Sequence, residues 1–571
     1  MPSWTVYEDP MHRGAVSPQI AQALLPQKAN CRSQDPPSKL DETSNVRRVH
    51  GLLGTVVRRI AHSCALLVLL AGPAHAQSTL ACTKDSLRQL TNAIEMHNDH
   101  AYRLNAKFKD IWYPQGPIPA EVRSAIGLKG IKKYLAALGG RKTAVLLHGV
   151  DQDDYGPTWY LRTWLITYRG KIICAAPRKL KKEDWGTFQA SGWSSLGVRG
   201  AKQPRGVAQV DNGERGTKDQ AQRWGAILQR LSDMLVPYEV VEEFEASKID
   251  TLVVVPITVR WVTLKGQDEG EGDTFDRFDS NNEEVSPSGE GSRTDISHPS
   301  TRAALSIGVL PFAALPVGGD ALIKKMSVIM APGFFSFTQN PEAVREKYLN
   351  PIVIGNPEGQ GYPALPGAGE EAKHVATLLK TDRLFIEKRA NKATLEKYLR
   401  QNPDSVDFIY LATHGLADAN NPVDKSFLVF SDGQWNAREI SHLRRQVQVV
   451  KDGKLVNQDL PLLQAKPLVV MSACQTALGK DFPSGTIGLA RAWQWAGASN
   501  VVMSLWSVDD EATKELMEQF VDFVMKGQAV DKALQSAMLN FRGKYPSPSN
   551  WASFSVYGAP ERLGPISSSS Q

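Results

Sequence analysis

The chain has 571 residues and a formal net charge of +6, with 42% apolar and 22% charged residues. These fractions are ordinary for a soluble globular protein and provide for two or more folded units with sizeable cores. Residues 1–76 hold 8 Lys/Arg against 5 Asp/Glu, so the remainder is only about +3; with no basic stripe of interleaved aromatics, no nucleic-acid partner is expected.

Residues 1–56 are polar and Pro-rich, without periodicity. Residues 57–76 then have the form of a secretory leader. Arg58-Arg59 is followed by a short apolar run and by Ala74-His75-Ala76, a small-residue cleavage site. The run is too short to span a bilayer. The expected mature chain starts at Gln77, has no stable transmembrane segment, and is exported to a periplasmic or extracellular space. The true start is then expected near residues 52–57. Thr79-Leu80-Ala81 lacks the large apolar residue expected before a lipidated cysteine, so Cys82 is not read as an anchor. With Cys31 and Cys64 in the leader, Cys82, Cys174 and Cys474 remain. An odd cysteine in an exported chain flags a free thiol, and Cys474 is the economical choice. Whether Cys82 and Cys174 pair is open at this point.

From residue 77 to about 140 the pattern is that of a small helical segment, with Leu87, Leu90, Ala93 and Ile94 at helical spacing and Pro114, Pro117 and Pro119 interrupting it. His97 and His100 share a helix face but have no acidic third ligand, so a solvated face is expected rather than a metal site. Gly139-Gly-Arg-Lys-Thr143 and Gly367-Ala-Gly369 both fall short of a phosphate loop. No metal and no cofactor is expected. Lys142–His148 and Trp159–Tyr168 read as two strands of a hairpin-like element, with His148 a strand-end residue without chemistry. Gln222–Leu235 reads as an amphipathic helix and Thr251–Pro256 as a buried strand. Residues 266–300 are rich in Gly, Ser, Asp and Glu, a composition that cannot bury enough apolar surface to fold, and are expected to be a disordered acidic insertion. From Ile307 onward apolar runs and helical patterns alternate, which predicts a mostly parallel sheet covered by helices on both faces. Gly485–Ala496 and Asp509–Val524 are two of those helices, the second opened by Asp509 or Asp510 as an acidic cap. Residues 564–571 are a Ser-rich tail.

Two strand ends carry the chemistry. Phe408-Ile-Tyr-Leu-Ala-Thr-His414-Gly415 and Leu468-Val-Val-Met-Ser-Ala-Cys474-Gln475-Thr476 are apolar runs that stop at a reactive side chain, 60 residues apart. In open parallel sheets ligands sit beyond the carboxyl ends of the strands, so His414 and Cys474 can meet at one site. An imidazole beside a thiol takes its proton and makes the nucleophilic thiolate. Gly415, without a side chain, and the peptide N–H of Cys474 are candidate oxyanion donors. Asp509 and Asp510 follow the next strand and are candidates to select a basic P1 side chain. Taken singly, a buried cysteine or a strand-end histidine is more often inert; the ordered pair is what raises the alternative.

These residues resemble the CHAT domain, a caspase- and separase-like cysteine peptidase module. The resemblance rests on Leu310-Pro-Phe-Ala-Ala-Leu-Pro316, Pro351-Ile-Val-Ile-Gly-Asn-Pro357, Leu365-Pro-Gly-Ala-Gly-Glu-Glu-Ala372, Gly485-Thr-Ile-Gly-Leu-Ala-Arg-Ala-Trp493, Val501-Val-Met-Ser-Leu-Trp506 and the closing Trp551, Phe554 and Gly558. It spans about residues 141–563, with the acidic insertion as its main departure. It implies a caspase-like α/β fold, His414 as general base, Cys474 as nucleophile, peptide-bond hydrolysis, and a protein or peptide substrate. Tetratricopeptide repeats often accompany this family, yet no such period occurs in this chain; a separate regulatory or recruiting protein would carry them. The other reading is a catalytically silent member of the fold that regulates or binds proteins.

Overall fold

The computed structural model describes residues 82–107, 127–152, 158–181, 184, 214–256, 307–331, 333–337, 340–359, 361–418, 421–451, 454–473, 480–482, 485–506 and 510–563. All of them belong to the unit Ser78–Gln571. The leader, the acidic insertion and the C-terminal tail lie outside the described residues.

The fold is mixed α/β around a twelve-stranded, mostly parallel sheet. In chain order its strands are β1 (Thr143–Gln152), β2 (Trp159–Thr167), β3 (Ile172–Cys174), β4 (Arg178–Leu180), β5 (Thr251–Pro256), β6 (Ser327–Met330), β7 (Pro351–Gly355), β8 (Leu384–Ile386), β9 (Phe408–Ala412), β10 (Leu468–Ser472), β11 (Asn500–Ser504) and β12 (Phe554–Tyr557). Their order across the sheet is β8-β7-β9-β10-β11-β12-β6-β5-β1-β2-β3, with β4 also on β2. The first five are mutually parallel. So are β12, β6, β5 and β1. The two sets meet antiparallel at β11 and β12. One sheet therefore has two parallel halves that open their carboxyl ends on opposite edges. The expected hairpin is present as the antiparallel β1–β2 pair.

β5, β9, β10 and β11 are buried along their whole length. That is why they read as unbroken apolar runs rather than alternating ones. The helices are α1 (Lys84–Lys107), α2 (Leu128–Ala136), α3 (Glu214–Leu235), α4 (Tyr238–Ala246), α5 (Pro366–Leu378), α6 (Lys392–Gln401), α7 (Leu489–Ala496), α8 (Asp510–Met525) and α9 (Val530–Lys544), with shorter turns between them. The step from β7 to β8 runs along the sheet against the steps β8 to β9 and β10 to β11. Right-handed crossovers thus put α5 on one face and α6 and α7 on the other. α5, α8 and α9 pack in series on the first face. Gly355 closes β7 where α5 comes nearest: a Cβ there would stand 2.3 Å from Ala372 Cβ.

Three expectations need correction. His97 is fully buried, its ring edge-on to Phe334 at 4.9 Å, so this face of α1 looks inward and not to solvent. Among the described residues no group of three or more His, Cys, Asp or Glu is placed to hold a metal. The helix expected from Gly485 begins at Leu489. Gly485–Ile487 instead pairs antiparallel with Lys480–Phe482, because Thr486 and Ile487 favour extended backbone and Gly488 ends the ribbon. His148 is not a strand terminus. β1 runs on past it to Gln152, and the ring is fully buried.

Cys82 and Cys174 form a disulfide, tying the start of α1 to β3. Arg141 forms a fully buried ion pair with Asp531. Arg141 also donates to the carbonyl of Glu561 at 2.7 Å and to Thr251 Oγ1 at 3.0 Å, and Ser327 Oγ donates to Asp531 Oδ2 at 2.5 Å. Residues far apart in sequence are thereby joined under β5 and β6. Among the described residues no helix is long and apolar enough to cross a membrane.

Candidate active site

β9 and β10 are parallel neighbours, and Ala412 is the register partner of Ser472. His414 lies two residues beyond Ala412, and Cys474 two residues beyond Ser472. The ladder continues one step past the strands, where Thr413 N donates to Ser472 O at 3.3 Å. Cys474 itself lies outside the described residues, as does Asp509. Asp510 opens α8, and its side chain is likewise outside them. Ala473, next to Cys474, is buried, and its carbonyl accepts a hydrogen bond from Ser504 Oγ at the end of β11.

After His414 the chain leaves the main sheet. Gly415–Leu416 pairs antiparallel with Phe427–Phe430, which pairs in turn with Gly433–Asn436. Thr413 Oγ1 donates to Val429 O at 2.6 Å and Val429 N donates to His414 O at 2.9 Å, so the backbone around His414 is clamped on both sides. Trp435 of the small sheet packs edge-on against Phe430 and Trp493, which braces that sheet on α7. From the opposite face Tyr410 donates its hydroxyl to the buried Glu371 of α5 at 2.7 Å.

The imidazole is 3% exposed. His414 Nε2 lies 2.7 Å from Pro363 O. A carbonyl only accepts, so Nε2 carries the proton and Nδ1 is the basic nitrogen of the neutral ring. The Tyr362 ring lies against the imidazole, centroids 5.4 Å apart and planes at 34°. Neither Tyr362 nor Pro363 was singled out as a site residue from the sequence. Both precede the Leu365-Pro366 helix start by two or three residues and carry no motif of their own.

The segment that delivers them is held at several points. Asn356, in the left-handed region at φ 45°, accepts from Leu365 N at 2.6 Å through Oδ1. Its backbone bridges β9 and β8, Asn356 N to Ala412 O at 2.9 Å and Glu387 N to Asn356 O at 3.0 Å. Gly359 has φ +126°, and a Cβ there would stand 3.0 Å from Ser431 O. Pro366 at the first turn of α5 fixes the exit.

The opposite end of β10 opens on a different feature. Where the amino ends of β10 and β11 meet the carboxyl end of β12 there is a cleft of about 450 Å³, walled by Lys466, Asn500, Trp495, Glu342 and Gly558–Glu561. Burial pushes the Glu561 carboxyl up to about 7. None of the candidate catalytic residues lines this cleft.

A mixed α/β body with a histidine clamped past the end of one buried parallel strand, beside a strand that leads to a cysteine, is the class of protein now defined. Residues 301–559 match the family model of the CHAT domain, the family that the motifs resemble. That stretch carries β6 to β12, while β1 to β5 extend the same sheet beyond it. The chain is 26% identical over 301 residues to human tetratricopeptide repeat protein 28, a stretch that is 46% of this chain and 12% of that protein. It is 33% identical over 111 residues to the mouse protein of the same name, covering 19% of this chain and 4% of that one. This chain therefore spans only a small part of the curated relatives it matches. Among solved structures it is similar to the Saccharomyces cerevisiae separase–securin complex at 13% identity, over 78% of this chain and 31% of that chain, with a TM-score of 0.41 that is too low to carry an argument.

Proposed function

We propose that this chain is an exported cysteine endopeptidase that works through a His414–Cys474 dyad. The observation that carries the reading is the matched register of β9 and β10, with His414 oriented by a backbone carbonyl. Nδ1 of His414 takes the Cys474 thiol proton, and the thiolate adds to the scissile carbonyl carbon. The N–H groups of Gly415 and Cys474 stabilise the oxyanion. The imidazolium returns the proton to the leaving nitrogen, and water, with His414 again as base, releases the acyl group. Throughout, Nε2–H stays on Pro363 O, which plays the orienting part a carboxylate plays in a serine triad. Asp509 and Asp510 are candidates to pair with a basic P1 side chain, beside their role as acidic caps of α8. Residues 141–563 act as one module, and no cofactor is required.

Export is proposed from the leader at residues 57–76 and is supported by the Cys82–Cys174 disulfide, since such bonds persist in oxidising compartments. A silent regulatory module is the second reading. It is favoured by the similarity to tetratricopeptide repeat protein 28, 12% of whose human form is matched.

The test is cleavage of a diverse peptide library by the chain starting at Gln77, beside Cys474→Ala and His414→Ala. Cleavage abolished in Cys474→Ala and lowered by roughly 10²–10⁴-fold in His414→Ala is the expected result. No cleavage by the unmodified chain, with Cys474 also inert to thiol-reactive peptide probes, would replace the peptidase reading with the silent one.

A further inference from the structure

Tyr362 touches the candidate base, yet nothing in the dyad chemistry calls for it. It is one of two consecutive residues that hold the imidazole: Pro363 through its carbonyl at 2.7 Å, Tyr362 through its ring at 5.4 Å. Tyr362 is held through its backbone and through its hydroxyl. Its backbone N–H turns back to Gly359 O at 3.4 Å, and the preceding Gly361 supplies the φ of +73° that the turn needs. Its hydroxyl accepts a hydrogen bond from Gln434 Nε2 at 3.1 Å. Gln434 lies in the small sheet that also contains Gly415, so the contact ties the loop after β7 to the ribbon after His414. Tyr362 is only partly buried and Gln434 is exposed, so burial of apolar area does not account for the arrangement.

We infer that Tyr362 is a positioning residue for His414: its ring fixes the imidazole plane so that Nε2–H stays on Pro363 O and Nδ1 is left as the basic nitrogen. The inference rests on the reading of His414 as the base. An aromatic face also attracts a cation, so the ring favours the imidazolium that forms when the proton leaves sulfur more than it favours the neutral ring. Help given to the charged intermediate but not to the resting state is the kind that raises a rate.

Two readouts on the full chain separate this from the dyad reading. The first is the downfield proton resonance of the His414 Nε2–H, identified by its loss in His414→Ala, which reports the ring's placement whether or not the protein cleaves anything. The second is the rate at which iodoacetamide alkylates Cys474. Tyr362→Ala is expected to lose the resonance by exchange with water and to slow alkylation about tenfold, while Tyr362→Phe, which keeps the ring, retains both to within about twofold. Gln434→Ala, an exposed change that removes the same hydroxyl contact as Tyr362→Phe and keeps the ring, is expected to retain the resonance as Tyr362→Phe does. If the resonance disappears but alkylation does not change, the positioning role stands and His414 is not the base. A resonance as sharp and as slowly exchanging in Tyr362→Ala as in the parent overturns the positioning role, and so does its loss in Tyr362→Phe.

Discussion

The two parallel halves of the sheet each bury a histidine whose Nε2 rests on a backbone carbonyl, His148 on Leu235 O at 2.8 Å and His414 on Pro363 O at 2.7 Å. By burial and hydrogen bonding they are close to twins. Their surroundings differ. His148 sits within β1, between Thr163 and Pro256 of the flanking strands, with Phe312 at 6.0 Å. Burial holds its pKa down at about 4, so at neutral pH it is an uncharged space-filler. His414 stands past the carboxyl end of its strand, and the neighbouring strand runs in the same register toward a thiol. A buried histidine on a carbonyl is thus no site by itself. What distinguishes the second is its place beyond a strand end, where side chains from different strands converge.

The largest expected effect would break this comparison outright. His414→Ala should lower kcat/KM for peptide cleavage by roughly 10²–10⁴-fold and Cys474→Ala should abolish it. His148→Gln should leave the rate within about twofold and change only stability. Equal loss of activity from His148→Gln would mean that the two halves are not divided between support and chemistry.

Next in size is the buried pair in the supporting half. Asp531→Ala strands the Arg141 guanidinium among Thr251, Ser327 and the Glu561 carbonyl, and should cost about 3–5 kcal/mol in denaturant unfolding. The double change Arg141→Met with Asp531→Leu should recover most of that, since it removes the unpaired charge instead of exposing it.

A third test uses acid and base against the same half. His148 binds its proton near 6.5 unfolded and near 4 folded, so stability is full above 6.5 and falls as pH drops through that window. Glu561 acts in the other sense. Desolvation, opposed by Arg141 and Arg345 and aided by Asp531, raises it from 4.5 to about 7, so its contribution is full below 4.5 and is lost as pH rises through 7. Each swing is about 3 kcal/mol for shifts of this order. His148→Gln should flatten the acid side of the stability profile and Glu561→Gln the alkaline side, with cleavage by the His414 half unaffected at fixed pH apart from unfolding.

The central strands were readable because both faces of the sheet are covered there, so they are unbroken apolar runs bounded by polar residues, as in Phe408–Ala412 and Leu468–Ser472. Their reversal at β12 was not readable. Phe554–Tyr557 has the same composition whichever way it runs, and its direction follows from α8 and α9 returning the chain over one face. His97 misled because its helix pattern was judged from chemistry-bearing residues and not from the Phe334 that meets it from 237 residues away in sequence. At the candidate site His414 had a signature and Pro363 had none, because what Pro363 contributes is a carbonyl, which every residue possesses.

The smallest expected effect concerns selectivity and bears on the His414 half alone. Asp509 and Asp510 follow β11, the strand beyond the one that leads to Cys474, and Asp510 is the first residue of α8. Carboxylates there have two separable roles. As N-terminal charges they stabilise the helix by about 0.5–2 kcal/mol, whatever the substrate. As a pocket floor they pair with Lys or Arg at P1. Asp509→Asn and Asp510→Asn keep hydrogen-bond acceptors for the helix while removing the charge, so capping is largely spared. If either residue sets P1 choice, its Asn variant should lose about tenfold in the ratio of kcat/KM for a P1 Arg peptide over its P1 Gln counterpart, with unfolding little changed. A ratio that does not move in either variant, together with a drop in stability for the Ala versions, assigns the pair to the helix and leaves P1 recognition to other residues.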